Sequence, residues 1–391
     1  MPYRSRRSSS RTTIAFIVLV VIAVLYALSY FVEYTSTTPT SVPSFTNEIV
    51  TTQAPLSSAP GDWWEVYFTD PLNINDPDNY ANSIEQKLID KINAAQRSIH
   101  IASFEFDLTP VAEALIAAHQ RGVDVRWVTD DEHGLEADAE YGGGQFAMLT
   151  EAGIEVRDDG RTALMHNKFW IFDGETVWTG STNVTVNGIF KQNNNVIVFH
   201  SPEIAAIYER EFQEMWDGQF GPRSPSTVED QTVVVQGTPV QVLFSSEDDV
   251  IAHLIPYVEQ AQKSIRFLAF SFTDYPLANA MIERARVGVD IQGVHEKVGS
   301  DGQGAEMVTF LCAKVPVRQD GNGSFMHHKV IIVDNRIVIT GSLNFSSSAD
   351  ESNDENVVIV DNPQIASLYL QEFERVWAVG SDPDPAKFTC P

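Results

Sequence analysis

Met165-His-Asn-Lys-Phe-Trp-Ile-Phe-Asp173 and Met326-His-His-Lys-Val-Ile-Ile-Val-Asp334 are one pattern written twice, 161 residues apart. Each copy holds His-x-Lys, four residues and then Asp: His166, Lys168 and Asp173, then His327, Lys329 and Asp334. Each runs on into Gly-Ser-x-Asn, as Gly180, Ser181 and Asn183 and as Gly341, Ser342 and Asn344. Further out, Asn195-Val-Ile-Val matches Asn356-Val-Val-Ile, and Phe212 with Trp216 matches Phe373 with Trp377. Upstream the offset is 166: Ser98-Ile-His-Ile-Ala-Ser-Phe-Glu-Phe matches Ser264-Ile-Arg-Phe-Leu-Ala-Phe-Ser-Phe, and Gly122-Val-Asp matches Gly288-Val-Asp. The five lost residues fall in a connecting stretch that includes Gly142 to Gly144. Self-similarity at a fixed period means that one structural unit is used twice.

Each copy alternates strand and helix signals. Ile99 to Phe106 is an apolar run of strand length, and Val123 to Thr129 is another. Val111 to Arg121 carries the helical period, with Val111, Leu115 and Ala118 on one face. Lys168 to Phe172 and Thr176 to Thr179 read as strands joined by the turn pair Asp173-Gly174, with Asp334-Asn335 at the same place in the second copy. Val196 to Phe199 is a further strand, and Pro202 to Trp216 a helix with Pro in its first turn. The expectation is an α/β fold: two tandem α/β/α sandwich repeats related by a pseudo-two-fold axis. The repeats run over residues 62–218 and 238–379, with a linker at 219–237 and a tail at 380–391.

The repeated residues suit a phosphodiester. On a strand the period of two puts His and Lys on one face. If the copies pack about a pseudo-two-fold axis, His166, His327, Lys168, Lys329, Asn183 and Asn344 converge. The lysines would neutralise phosphate oxygens and the charge that builds in the transition state. The asparagine amides would donate to the same oxygens, and Ser181 and Ser342 would touch phosphate or shape the loop. One histidine would attack phosphorus while the other protonates the leaving alcohol, and water would then release the phosphohistidine. The lysines supply the positive charge, so this chemistry calls for no metal or other cofactor. Asp173 and Asp334 open hairpin turns, which favours a supporting role. The copies differ at one place: Glu355 follows His327 by 28 residues, where Asn194 follows His166. A carboxylate bonded to an imidazole raises its pKa. The spacing therefore predicts Glu355 on His327, with His327 as general acid and His166 as nucleophile.

The duplicated HxKxxxxD motif followed by G-S-x-N resembles the phospholipase D superfamily, also called HKD proteins. The resemblance covers nearly everything from Asp62 to Trp377. It implies a bilobal α/β fold, a central metal-free site and a covalent phosphohistidine. It also implies that His166 and His327 are catalytic, and that Lys168, Lys329, Asn183 and Asn344 bind phosphate. The family includes phospholipases, cardiolipin synthases and hydrolases, phosphatidyltransferases and nucleases. Asn353-Asp354-Glu355 fits its Asn-x-Glu pattern, whereas Gln192-Asn193-Asn194 departs from it and leaves open what orients His166.

Composition bears on the substrate. The 391 residues are 43% apolar with a formal charge of −27, a globular mix on an acidic body. Arg4, Arg6, Arg7 and Arg11 precede the first acid, Glu33, which leaves 22 basic residues against 53 acidic ones beyond them. Such a surface repels polyanions, so it weighs against a nuclease without excluding one. Ile14 to Val32 is free of charge for nineteen residues, long enough to span a bilayer. The arginines before it predict a cytoplasmic N-terminus at 1–13, a transmembrane anchor at 14–32, a Thr/Ser/Pro-rich tether at 33–61 and an extracytoplasmic body. A cleaved signal peptide is the competing reading, and the length of the run favours the anchor. The anchor places the site near a membrane, so a phospholipid is the expected substrate. Two motifs in one chain remove the need for a dimer, so a monomer should suffice. Cys312 and Cys390 allow one bridge or two free thiols.

Overall fold

The computed structural model describes residues 63–139 and 142–390. The predicted cytoplasmic segment, anchor and tether lie outside the described residues. Among the described residues no helix is long and apolar enough to cross a membrane.

The first half runs β1 (Trp64–Phe68), α1 (Ile84–Ala94), β2 (Ser98–Ser103), α2 (Thr109–Gln120), β3 (Asp124–Thr129), α3 (Gln145–Glu151), β4 (Glu155–Asp158), β5 (Lys168–Phe172), β6 (Thr176–Gly180), β7 (Asn195–His200) and α4 (Pro202–Trp216). The second runs β8 (Thr232–Val235), β9 (Thr238–Ser245), α5 (Val250–Glu259), β10 (Ser264–Ala269), α6 (Tyr275–Arg286), β11 (Asp290–His295), α7 (Met307–Cys312), β12 (Val317–Gln319), β13 (Lys329–Val333), β14 (Ile337–Gly341), α8 (Ser347–Glu351), β15 (Glu355–Asp361) and α9 (Pro363–Val379). The segment 219–237 is more than a linker, because β8 lies within it and pairs antiparallel with β9.

The strand orders repeat. The first sheet is β1-β7-β6-β5-β2-β3-β4, and the second runs β9-β15-β14-β13-β10-β11-β12 with β8 added at its edge. The register fixes where the two offsets meet. Trp127 pairs Val156 in the first sheet, and Gly293 pairs Val317 in the second. The five residues are therefore lost between β3 and β4.

Strands β5 and β13 are buried along their whole length, because both faces of each sheet are covered. On the outer face of the first sheet lie α1, α2 and α3, packed through Leu88, Leu115 and Phe146 onto Trp127 and Trp170. Helices α5, α6 and α7 do the same for the second sheet. The inner faces share one core with α4 and α9 between them. Ser201 caps α4 and Asn362 caps α9, each followed by Pro at the first turn, which fixes where these helices begin. Helix α4 then buries Ile204, Tyr208, Phe212 and Met215, a stripe at the 3.6-residue period. Burial of each such side chain contributes roughly 1.5–3 kcal/mol.

Two buried asparagines join the halves. Asn195 donates to His328 Nδ1 at 3.0 Å and accepts from Thr340 Oγ1 and Tyr369 Oη, also at 3.0 Å. Its counterpart Asn356 donates to Thr179 Oγ1 at 2.6 Å and to Tyr208 Oη at 3.4 Å. The reciprocity is what a two-fold relation requires. A disulfide joins Cys312 to Cys390 and ties the tail to α7.

Candidate active site

The motifs meet where the two sheets come together end to end. Met165 bridges Asp354, and Asn193 bridges Met326. The His166 amide donates to Asp354 O at 2.8 Å and the His327 amide to Asn193 O at 2.9 Å. Each catalytic candidate therefore hangs on backbone of the opposite half.

Close packing explains the Gly-Ser step that follows each motif. A Cβ on Gly180 would lie 2.3 Å from Asn195 O, and one on Gly341 would lie 2.0 Å from Asn356 O. Gly180 also holds φ +148°, which glycine adopts without strain. The strands can thus come close enough for Ser181 Oγ to accept the Asn195 amide at 3.1 Å and for Ser342 Oγ to accept the Asn356 amide at 3.0 Å.

The imidazoles are held crosswise. His166 Nδ1 lies 2.7 Å from Glu355 Oε2. His327 Nδ1 faces Asn194 Oδ1 at 3.0 Å and Ser181 O at 3.1 Å. Both of these are acceptors, so His327 carries a proton on Nδ1 and leaves Nε2 as the basic nitrogen. Asn194 is fixed in this orientation by its own bonds, accepting from Ser181 Oγ at 2.8 Å and donating to Gly188 O at 2.8 Å. The expectation that Glu355 serves His327 is thus overturned. Glu355 follows His327 in the chain, yet its strand end inserts beside the ring of the other half. The same finding identifies what orients His166.

Lys168 and Lys329 are buried, and each Nζ donates to the preceding histidine's carbonyl at 2.9 Å, on His166 O and His327 O. Burial brings Lys168 down to about 8, and burial with Lys168 nearby carries Lys329 well below its ordinary value. Burial, then the two lysines, holds both imidazoles well below the usual range, and His166 depresses His327 further. Burial pushes the Glu355 carboxyl up to about 7, against the pull of Lys168 and the Ser342 hydroxyl. The site thus sets two lysines beside imidazoles held neutral, an arrangement suited to an anion.

Asn183 donates to Glu105 Oε2 at 2.7 Å, and the amide oxygens of Asn183 and Asn344 are buried without a partner. Ser181 and Ser342 are fully buried, with their hydroxyls engaged on β7 and β15 behind the rings. Asp173 lies away from the centre and accepts the amides of Gln96, Arg97 and Ser98. Asp334 does the same for Gln262, Lys263 and Ser264. These two carboxylates anchor the starts of β2 and β10.

Several residues here were not singled out from the sequence. Phe104 stands edge-on to His166 at 4.8 Å, and Phe270 to His327 at 4.6 Å. The same rings lie 5.1 Å from Lys168 Nζ and 4.7 Å from Lys329 Nζ, within reach of cation–π attraction. Asp130 accepts the Met165 amide at 3.1 Å, and Glu296 accepts the Met326 amide at 2.7 Å. Both pairs sit at the 166-residue offset, which is the signal that could have found them. Among the described residues, Asp130, Asp131 and Asp159 are close enough to share a cation. Their carboxylates already accept the amides of Met165, Glu132 and Asp131, which accounts for them as backbone anchors.

The family model described as "Cardiolipin synthase, PLD-like domain" matches residues 88–216 and again 254–377, so each match takes in one complete motif. The chain belongs to the phospholipase D superfamily. A mitochondrial cardiolipin hydrolase of Xenopus tropicalis is 33% identical over 141 residues, which is 36% of this chain and 66% of that protein. A phospholipase D of Rickettsia typhi is 30% identical over 134 residues, 34% of this chain and 66% of that protein. The match thus spans slightly under two thirds of these relatives. The crystal structure of phosphatidylserine synthase from Haemophilus influenzae shares the fold at a TM-score of 0.58 and 15% identity, over 74% of this chain and 83% of that one.

Proposed function

We propose that this member of the phospholipase D superfamily is a phosphodiesterase acting on phospholipids through a covalent phosphohistidine. The observation that carries the reading is the crosswise hold: each imidazole is bound through Nδ1 by a group of the other half, which leaves both Nε2 atoms for substrate. Lys168, Lys329, Asn183 and Asn344 bind the non-bridging oxygens. The phosphodiester anion offsets the lysine charges, so one imidazole takes up a proton as substrate enters.

His166 is the nucleophile, for a reason different from the sequence argument. With Nδ1–H directed at Glu355, its Nε2 lone pair faces phosphorus. As the N–P bond forms, the ring becomes cationic, and the Glu355 carboxylate offsets that charge. His327, held by neutral acceptors only, binds its Nε2 proton weakly and gives it to the leaving alkoxide as the P–O bond breaks. Water then enters on the His327 side. Its proton passes to His327, its oxygen bonds phosphorus, and the N–P bond to His166 breaks.

The lipid substrate is supported by the cardiolipin hydrolase and phospholipase D relatives and by the acidic body, which disfavours long polyanions. Placement outside the cytoplasm is supported by the Cys312–Cys390 disulfide, since such bonds persist in oxidising compartments, and the uncleaved anchor at 14–32 by the length of its charge-free run. With both motifs in one chain, the active species is a monomer. Labelled phosphatidylcholine, cardiolipin and single-stranded DNA, assayed side by side with and without a primary alcohol, test the reading. Lipid turnover is expected, and a phosphatidyl-alcohol product would mark transfer as well as hydrolysis. DNA cleavage without lipid turnover would overturn it.

A further inference from the structure

A cavity of about 390 Å³ opens beside the seam between the halves. Its lining is largely apolar, with Leu72, Phe190, Val376 and Val379 around it. Leu72 is 73% exposed and Val379 55%, so large apolar side chains face solvent at its mouth. The inner wall belongs to the catalytic framework. Asn193 lines the cavity, its carbonyl accepts the His327 amide at 2.9 Å, and the next residue is Asn194, which holds the His327 ring.

The internal repeat shows what such a recess can hold. At the 161-residue offset, the lining residues Asn193 and Asn322 correspond to Asp354 and Arg161. In that other copy the recess is filled by the chain itself. The Gly221 amide donates to Asp354 Oδ1 at 2.7 Å, and Phe220 lies 5.8 Å from the Arg161 guanidinium. No counterpart of Phe220-Gly221 is among the residues that line the cavity beside Asn193. There Val379 and Arg375 stand where the other copy has Gly218 and Glu214. The charge also changes sign. On a body of net −27 this lining carries Lys191 and Arg375, the latter already paired with Glu372. Among the described residues Lys191 makes no ion pair, so its ammonium is free for an anionic interface.

We infer that this cavity receives the upper part of one acyl chain of the phospholipid whose phosphate lies between His166 and His327, with Lys191 facing the charged surface of the lipid. The inference rests on the phospholipid reading above and extends it to how the lipid is held. Apolar burial contributes with each methylene enclosed, so the cavity discriminates by chain length.

The test uses the full chain and two substitutions at exposed lining positions, Val379→Trp and Leu72→Trp, with Lys191→Glu as a charge probe. Each protein is assayed on bis(p-nitrophenyl) phosphate, a soluble dihexanoyl phospholipid and dioleoyl phospholipid vesicles. The tryptophan variants should keep bis(p-nitrophenyl) phosphate turnover within about twofold, lose about tenfold in kcat/KM on dioleoyl vesicles, and show a smaller loss on the dihexanoyl lipid. Lys191→Glu should weaken turnover of anionic vesicles more than of zwitterionic ones. Turnover of the small diester also reports that the variants fold. Dioleoyl turnover left unchanged by both tryptophans, as expected if another part of the chain fills the cavity, would overturn the inference alone. An equal loss on all three substrates would overturn it too. Cleavage of the small diester without any lipid turnover by the unsubstituted protein would remove the parent reading and the inference with it.

Discussion

Glu355 Oε2 lies 2.7 Å from His166 Nδ1, although Glu355 belongs to the half that carries His327. The residue in the matching position, Asn194, reaches across in the other direction to His327. The two halves therefore exchange the groups that orient their histidines, and they exchange different ones.

The exchange makes the histidines chemically unequal. His166→Ala and His327→Ala should each lower turnover by roughly 10²–10⁴-fold. Acid-free quenching of a reaction with labelled substrate, followed by peptide mapping, should place the phosphate on His166. Label on His327 would reverse the roles.

Glu355 governs the acid limb of the pH profile. Burial raises this carboxyl to about 7, so it is protonated below that pH and ionised above it. If the ionised form supports attack by His166, kcat/KM rises with pH through about 7. Glu355→Gln should lower kcat by roughly 10²-fold or more and remove that limb. A variant that keeps the limb would assign it to another group.

Asn194→Asp puts a carboxylate on the second imidazole. An adjacent opposite charge favours the protonated ring. The alkaline limb of the kcat profile should move upward in pH, and kcat should fall because the ring releases its proton less readily. A pH series on the variant reads both effects.

Asn195→Ala should destabilise the fold more than it changes the chemistry. It removes the partner of His328 Nδ1, Thr340 Oγ1 and Tyr369 Oη, a loss of about 1–3 kcal/mol per orphaned group, while His328 Nε2 stays on Glu372. Urea denaturation measures this directly.

Reduction of the disulfide should cost stability without abolishing turnover. The Cys312–Cys390 bond closes a loop of 78 residues that contains His327, but it ties the tail to α7 and not to either motif. Cys390→Ser should lower unfolding stability by about 2–4 kcal/mol and leave kcat nearly unchanged. Thermal melts with and without reductant check it.

Much of this was legible in the sequence, because the repeat compares the chain with itself. Lys168–Phe172 and Pro202–Trp216 fall where their patterns placed them. The segments that carry His166 and His327 each bridge to backbone of the other half, as a pseudo-two-fold packing requires. The partner of each ring was hidden for a physical reason. Spacing along one copy says which residues share a strand face, but the docking of two copies decides whose strand end lies beside which ring. Phe104 and Phe270 were hidden differently, since an aromatic in an apolar strand run looks like ordinary core. The eighth strand, Thr232–Val235, sits in a stretch whose Pro and Gly content reads as loop.

The reciprocal grip has an evolutionary consequence. Duplicated units ordinarily back each other up, so damage to one can be tolerated. Here each unit lends the other a component it cannot make locally, so the pair has lost that redundancy. Severing the chain between Trp216 and Thr232 should yield two fragments, each inert, whose activity returns only when they recombine.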